Sequence, residues 1–579
     1  MNLSKMHLQK YHGTINLIAL LSTLLAAPLR ANEPRTIHLA PDSPVLPVVA
    51  VPLLHEKVPE LPLSGDGLAL TPKESPYQWT KIGPTEEPII LKISVDEARF
   101  DFGTLTIWNW HNFAVHQSKV IAGADSEIEI HVNGLGTYLM TFDGFRDGRY
   151  QERLIRNIAV TADGTTAREA WKTDEFFVGL CAFPGRYHWT PGGVPTLPVG
   201  LTQEEARNHE AELIARLGLQ VARVDESIEM GRKESKHGET YFFDFARMDA
   251  ATSAWTSRGF ELALQSMSAS DWAVLPKYAD QGKNRWRYPH QEGPQRAYLA
   301  ALVTRYGKHS RFMQISNEPD QIGYWSGTNE EFVTQFTFSQ DEVRRVAPDL
   351  PLTYGGYTVV DEAKCAYFIK HIHHLADFPA YNAHGNLTDY ARSFATVRRL
   401  QSEAGDHSNR WVNTETGYSA WRLEQERRQG QIDVQKILYS WANDHAGVLL
   451  FCSRMTRGPG RDGTPDFGLL DYQFCPRFVY GSVAALITTL GGASFEKTLS
   501  ETDEAHLYTF RRGSDLILAG FTLNESAIAK VASDAKEILA VDEMGNQHPL
   551  DPSTTLSLSL DGYPRYWVLK EASVLQIER

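Results

Sequence analysis

From residue 172 onward, short apolar runs alternate with amphipathic stretches, the pattern of a repeated strand–helix unit. EFFVGLCAF at 175–183 reads as a first strand. LTQEEARNHEAELIARLG at 201–218 reads as a helix, with Thr202 as its N-cap and Gly218 as its stop. LQVARVD, FELALQSM, RFMQISNEP, PLTYGGY, PAYNAHG, RWVNTETGY and GVLLFCSR continue the series as strands two to eight. MDAATSAWTSRG, PQRAYLAALVTRYG, IDVQKILYSWANDH and PRFVYGSVAALITTL have helical spacing between or after them. Eight units over 172–492 fit an α/β fold of the (β/α)8 TIM-barrel type. A doubly wound open sheet is disfavoured, because no Gly-rich phosphate loop opens any unit.

The periodicity differs on both sides of this block. PIILKISV, TLTIWNW, EIEIHV, YLMTFDGF and RNIAVTADG alternate with period two between Gly, Asp and Asn, and predict an N-terminal β-sandwich over 85–165. AHLYTFRRG, DLILAGFTL, KEILAVDEMGNQ, TTLSLSL and RYWVLKE predict a second β-sandwich over 493–579. Residues 32–84 are rich in Pro, lack sustained periodicity and read as an extended segment. Lys5 and Lys10, the apolar run Ile15 to Leu25 and the small residues after it have the form of a secretory signal peptide over 1–31, cleaved near Ala27 or Ala31. The expected destination is the periplasm or the cell exterior, with no membrane partner after cleavage.

Composition narrows the function classes. Of 579 residues, 42% are hydrophobic and 22% charged, as in ordinary globular chains. The formal net charge of −14 argues against nucleic acid or an anionic membrane as the partner. The 13 Trp residues suit either a large core or a cleft that stacks on sugar rings. Cys181, Cys365, Cys452 and Cys475 match no metal spacing and read as buried thiols. If one bridge forms, Cys452–Cys475 or Cys181–Cys452 is the candidate.

A barrel carries its chemistry at the C-terminal ends of its strands. Strand four ends in Asn317-Glu318-Pro319 and strand seven in Glu415, three steps round the ring, so the two carboxyls face each other across the mouth. Glycoside hydrolysis needs such a pair. One carboxyl is protonated and donates to the leaving oxygen, while the other is ionised. A gap of about 5–5.5 Å goes with a covalent intermediate and retention, and a gap of about 6.5–9.5 Å with inversion. Neighbouring carboxyls also push each other's pKa values apart.

The Asn317-Glu318-Pro319 triplet and Glu415 within TETG make the chain resemble glycoside hydrolase clan A, and DFGLLDYQFCPRFVYGSVAAL after strand eight is similar to the clan too. The flanking β-domains resemble those of families 39, 30 and 5, with no single family singled out. The resemblance implies that Glu318 is the acid/base, that Glu415 is the nucleophile and that Asn317 binds the sugar 2-hydroxyl. It also implies that Arg223, ending strand two, holds the nucleophile ionised, against the alternative of an ion pair with Asp225 or Glu226. Tyr381 and His384, ending strand six, stand where the clan often has a Tyr or His on the nucleophile or sugar; a structural histidine is the other reading of His384. Strand eight departs from the clan: many members have a Trp there under the reacting sugar, and here either Phe451 takes its place or the floor is different.

Further candidates come from the loops. His188 and Trp189 follow strand one and would line a groove. Trp272 and Trp286 follow strand three, as stacking platforms or as packing. Arg186, Lys277, Lys283, Arg285, Arg287, Arg454, Arg457 and Arg461 make these loops locally basic, which points to a uronate-bearing or sulfated glycan or to ordinary solvated cations. The expectation is a retaining glycoside hydrolase acting on a carbohydrate, with no metal or organic cofactor. A non-catalytic glycan-binding protein on a decayed barrel and a transglycosylase are the alternatives.

Overall fold

Eight strands close into a parallel barrel in chain order: Phe177–Ala182, Val221–Val224, Glu261–Ser266, Ser310–Ile315, Leu352–Tyr357, Phe378–Asn382, Trp411–Thr416 and His445–Phe451. The first pairs with the last, Cys181 opposite Phe451, and so completes the ring. The computed structural model describes residues 35–46, 67–75, 77–83, 87–123, 126–188, 197–198, 200–282, 285–420, 423–454, 467–573 and 575–577. The proposed signal peptide, Trp189, Lys283, Arg457 and Arg461 lie outside the described residues.

One helix packs outside each strand: Gln203–Ala215, Ala246–Thr256, Glu292–Tyr306, Asn329–Val346, Glu362–Ile372, Leu387–Ala404, Leu423–Ala442 and Phe478–Leu490. The first starts as expected, since the Thr202 side chain accepts from Glu205 N–H and Glu205 reaches back to the Thr202 backbone. Thr328 and Glu331 repeat that box and end the loop after strand four. Gly218 lies beyond the first helix in a left-handed conformation, φ +81°.

Alternation along the strands separates two cores. Outward residues such as Val178, Leu180, Val448 and Leu450 pack under the helices. Inward residues fill the lower barrel with Phe177, Phe312 and Phe378, whose rings stand 5.9 and 5.7 Å apart in sequence. Above that apolar plug the inward positions turn polar, and the site begins there.

The N-terminal sandwich pairs a four-stranded with a five-stranded sheet. It reaches further back than the expected boundary. Arg35–Leu39, Leu68–Pro72 and Thr80–Ile82, within the stretch read as an extended segment, are strands of these sheets. Each of the first two turns only a couple of apolar side chains inward, Ile37 with Leu39 and Leu68 with Leu70, too short a run for a period to show. The C-terminal sandwich joins a six-stranded and a three-stranded sheet. It touches the N-terminal one directly, where Trp110 Nε1 donates to Glu543 at 3.0 Å. An unexpected hairpin, Glu229–Ser235 with Gly238–Asp244, rises between barrel strand two and its helix. All four cysteines are buried free thiols, so neither candidate bridge forms.

Candidate active site

The chain leaves strand four in an uncommon conformation. Ser316 and Glu318 have φ of +74° and +46°, values that cost a non-glycine residue on the order of 1–3 kcal/mol each. Two backbone bonds oppose that strain. Ser316 N–H donates to Ser266 O at 2.6 Å, and Glu318 N–H donates to Gly355 O at 3.0 Å. Pro319 follows the strand's end and contributes no backbone donor. The result is a kink that turns the Glu318 carboxyl over the barrel mouth, where Asn382 Nδ2 donates to it at 2.8 Å and Gln321 Nε2 at 2.6 Å.

Glu415 ends strand seven on the other side. Arg223 Nη2 donates to its Oε1 at 2.6 Å, and Arg223 Nη1 donates to Thr414 O at 3.1 Å. The guanidinium is therefore oriented by backbone as well as by charge. His384 Nε2 stands 3.8 Å from Glu415 Oε2. Asn317 Nδ2 donates to Glu415 Oε1 at 3.4 Å.

Two amides tie the carboxyls together. Asn317 Oδ1 accepts from Gln314 Nε2 at 3.0 Å and from Asn382 Nδ2 at 3.3 Å, which directs its own NH2 toward Glu415. Asn382 Oδ1 accepts from Thr414 Oγ1 at 2.8 Å. Gly356 makes room for this network. A Cβ there would stand 2.8 Å from Gln314 Nε2 and 3.0 Å from Thr414 Oγ1, and its φ of +53° favours glycine in any case.

The surroundings drive the two carboxyls apart in acidity. Burial raises the pKa of Glu318, and the negative charge of Glu415 raises it further, against the opposing pull of Asn382. Burial acts in the same direction on Glu415, but Arg223 and then His384 outweigh it and hold its pKa below the usual carboxylate range. At neutral pH one group carries a proton and its neighbour does not.

Other expected residues fall in different places. Phe451 turns its ring to His384 at 5.4 Å, Phe183 at 5.2 Å and Phe467 at 5.5 Å, an aromatic wall beside Glu415. Trp286 packs edge-on to Tyr324 at 5.9 Å, and the charges of both Glu318 and Glu415 act on the Tyr324 hydroxyl. Trp272 donates from Nε1 to Met230 O at 2.9 Å and stacks on Tyr241 at 6.1 Å, so it braces the hairpin instead of the cleft. His188 ends the short 3-10 helix Pro184–His188.

Two expectations are corrected. Tyr381 does not face the pocket. It points outward beneath the helices, fully buried, with its hydroxyl 2.7 Å from His445 Nε2. Strand alternation sends the next residue, Asn382, into the pocket instead. Arg454 does not reach the mouth either. Only 4% exposed, it lies between the rings of Tyr187 and Phe474 at 4.9 and 4.8 Å and donates from Nε to Tyr472 O at 3.0 Å. Asn382, Thr414, Gln321 and Tyr324 were not among the expected site residues. Asn382 alone had a usable signal, its place one register step from Tyr381.

No family model matches the chain, and no curated protein matches it either. Solved structures similar to it include a family 39 glycoside hydrolase from the gut symbiont Bacteroides cellulosilyticus WH2. That structure aligns over 87% of this chain and 100% of its own, at 16% identity and a TM-score of 0.60. A monomeric beta-xylosidase from Caulobacter crescentus CB15 aligns over 68% of this chain and 95% of its own, at 12% identity and a TM-score of 0.46. A GH30 endoxylanase from Clostridium papyrosolvens C71 aligns over 68% and 96%, at 10% identity and a TM-score of 0.46. The first of these establishes a shared fold.

Proposed function

We propose that the chain is a retaining glycoside hydrolase that cleaves a poly- or oligosaccharide by double displacement. One observation carries the reading: two carboxyls share a pocket at the barrel mouth, one held protonated by burial and its neighbour held ionised by Arg223. Glu415 attacks the anomeric carbon while Glu318 gives its proton to the departing oxygen. The glycosyl–Glu415 ester then meets a water whose proton passes to Glu318, and the sugar leaves with both carboxyls restored. The signal-peptide pattern of residues 1–31 supports action outside the cytoplasm.

An anionic glycan is a second reading, and Arg186 supports it. Its charge acts on both Asp225 and Tyr324, which supports a position near the two carboxyls. Arg186 also lies over the Phe183 ring at 3.9 Å, and two other loop cations bind protein groups. Lys277 pairs with Glu331 at 2.6 Å, and Arg285 donates to Ala279 O at 3.0 Å.

The test is product stereochemistry. Purified protein is screened on neutral, sulfated and uronate-bearing polysaccharides and their desulfated or carboxyl-reduced forms, and the new reducing ends are followed by proton NMR before mutarotation. The expected first product keeps the anomeric configuration of the substrate. An inverted product removes the covalent step, and binding without any released sugar across the pH range favours a glycan-binding role.

Asn382 provides a finer check. Its NH2 stabilises the ionised form of Glu318, so Asn382→Ala raises the Glu318 pKa further. The basic limb of the pH–rate profile is expected to move upward, with kcat/KM at neutral pH lower by about 10–100-fold. A downward shift of that limb, measured on the same substrate, contradicts the assignment of the acid.

A further inference from the structure

Asp225 sits two residues past Arg223. The backbone ladder continues to it, since Asp225 N–H donates to Ala182 O at 2.9 Å. Alternation therefore holds over these three residues: Arg223 points into the pocket, Val224 packs outward in the helix-facing core, and Asp225 turns inward again. The loop after strand one comes close at Gly185, whose N–H donates to Asp225 O at 3.3 Å.

The carboxylate of Asp225 makes no hydrogen bond and no ion pair among the described residues, and solvent reaches it. Its neighbour Glu226 is already committed, with Arg247 Nη2 at 2.8 Å. The charges that act on Asp225 are those of Arg223, Arg186, Glu226 and Glu415, so it belongs to the same recess as the proposed nucleophile. The mass of protein around it raises its pKa ahead of the opposing pull of Arg223 and Arg186, although the side chain itself stays exposed. A carboxylate that water reaches, yet that surrounding protein makes less acidic, lies in a concave wall.

A solvated carboxylate beside the proposed nucleophile, with no protein donor of its own among the described residues, is an acceptor open to a ligand. Sugar hydroxyls can take the place of the water it meets. An ionised carboxyl has two oxygens and accepts only, which matches a pair of adjacent hydroxyls and repels a carboxylate or sulfate. We propose that Asp225 determines specificity, accepting hydrogen bonds from two neighbouring hydroxyls of the sugar in the reacting subsite and excluding an acidic substituent at those positions. The inference rests on the glycosidase reading of this pocket and narrows it: the reacting sugar is neutral there, and any anionic group of the glycan lies on another residue of the chain.

The full-length protein, Asp225→Asn and Asp225→Ala are compared on 4-nitrophenyl glycosides of neutral hexoses and pentoses, on the matching uronides, and on monodeoxy analogues of the best substrate. The wild type is expected to prefer the neutral glycoside to its uronide. Asp225→Asn is expected to lose about 10–100-fold in kcat/KM on the parent sugar and far less on two adjacent monodeoxy analogues, whose hydroxyl is already missing. Asp225→Ala must rank the analogues in the same order, which a merely structural role would not produce. Equal losses on every analogue, no loss on any, or a wild-type preference for the uronide overturns the role of Asp225 and leaves the hydrolase reading intact. Failure of the wild type to cleave any glycoside in the set and any polysaccharide of the product screen removes both.

Discussion

Glu415→Ala is expected to lower kcat/KM by about 10⁴-fold or more, and azide to restore part of it while giving a glycosyl azide of inverted configuration. The size follows from the role. Without the nucleophile no covalent intermediate forms, and single removals of a nucleophile from a coupled site cost on this scale. The stereochemistry follows from the pocket. Glu415 lies on the Arg223 side and Glu318 on the Asn382 side, so an anion in the vacated space meets the anomeric carbon from the nucleophile's direction. The new carbon–nitrogen bond forms as the glycosidic oxygen leaves with the Glu318 proton, and no second displacement follows. Arg223 is 3% exposed and loses its only ion-pair partner among the described residues in this variant. Breaking a buried pair costs about 3–5 kcal/mol, so melting temperature must fall as well, and bound azide should recover some of it. A variant that keeps its activity, or an azide product of retained configuration, removes Glu415 from the nucleophile's place.

The parts of this arrangement legible in the sequence were those encoded locally. The eight barrel strands are runs of inward and outward apolar residues, and their order in the chain is their order round the ring. Asn317, Glu318 and Glu415 stood out because a polar residue ending a barrel strand has one destination, the mouth. The partners of those carboxyls were harder to see. Which residue of strand six faces Glu318 depends on a register set by pairing with strand seven, where Asn382 stands opposite Glu415. An error of one position exchanges Tyr381 for Asn382 and an outer-core hydroxyl for a pocket amide. Arg454 misled for a different reason. A guanidinium in a loop reads as solvated, but the rings of Tyr187 and Phe474 that bury it arrive from distant parts of the chain. The hairpin over Trp272 escaped notice because most of its residues are exposed, so no apolar alternation marks it.

The same pocket sets the pH behaviour, and Glu318→Ala separates its two limbs. Glu415 must be ionised to attack, and Arg223 with His384 keeps it so, hence activity persists to low pH and falls only as pH drops through a pKa below the usual carboxylate range. Glu318 must be protonated to donate. Its pKa is raised, so the proton is retained toward neutrality and activity falls as pH climbs through that raised value. The wild-type profile is expected to be a bell whose basic limb belongs to Glu318 in the pair it forms with Glu415. Removing the carboxyl has an uneven effect on substrates. A glycan, whose alkoxide leaves poorly, needs the donated proton and is expected to lose about 10²–10⁴-fold. A 2,4-dinitrophenyl glycoside departs without protonation, so its first step should remain near the wild-type rate and the glycosyl–Glu415 ester should accumulate as a burst of dinitrophenol. With the acid gone the basic limb disappears, while the acidic limb stays. Intact-mass analysis of the burst phase checks the ester directly. Equal losses on both substrates, or a basic limb that survives the substitution, assigns the proton to some other group and leaves the raised pKa of Glu318 without a catalytic meaning.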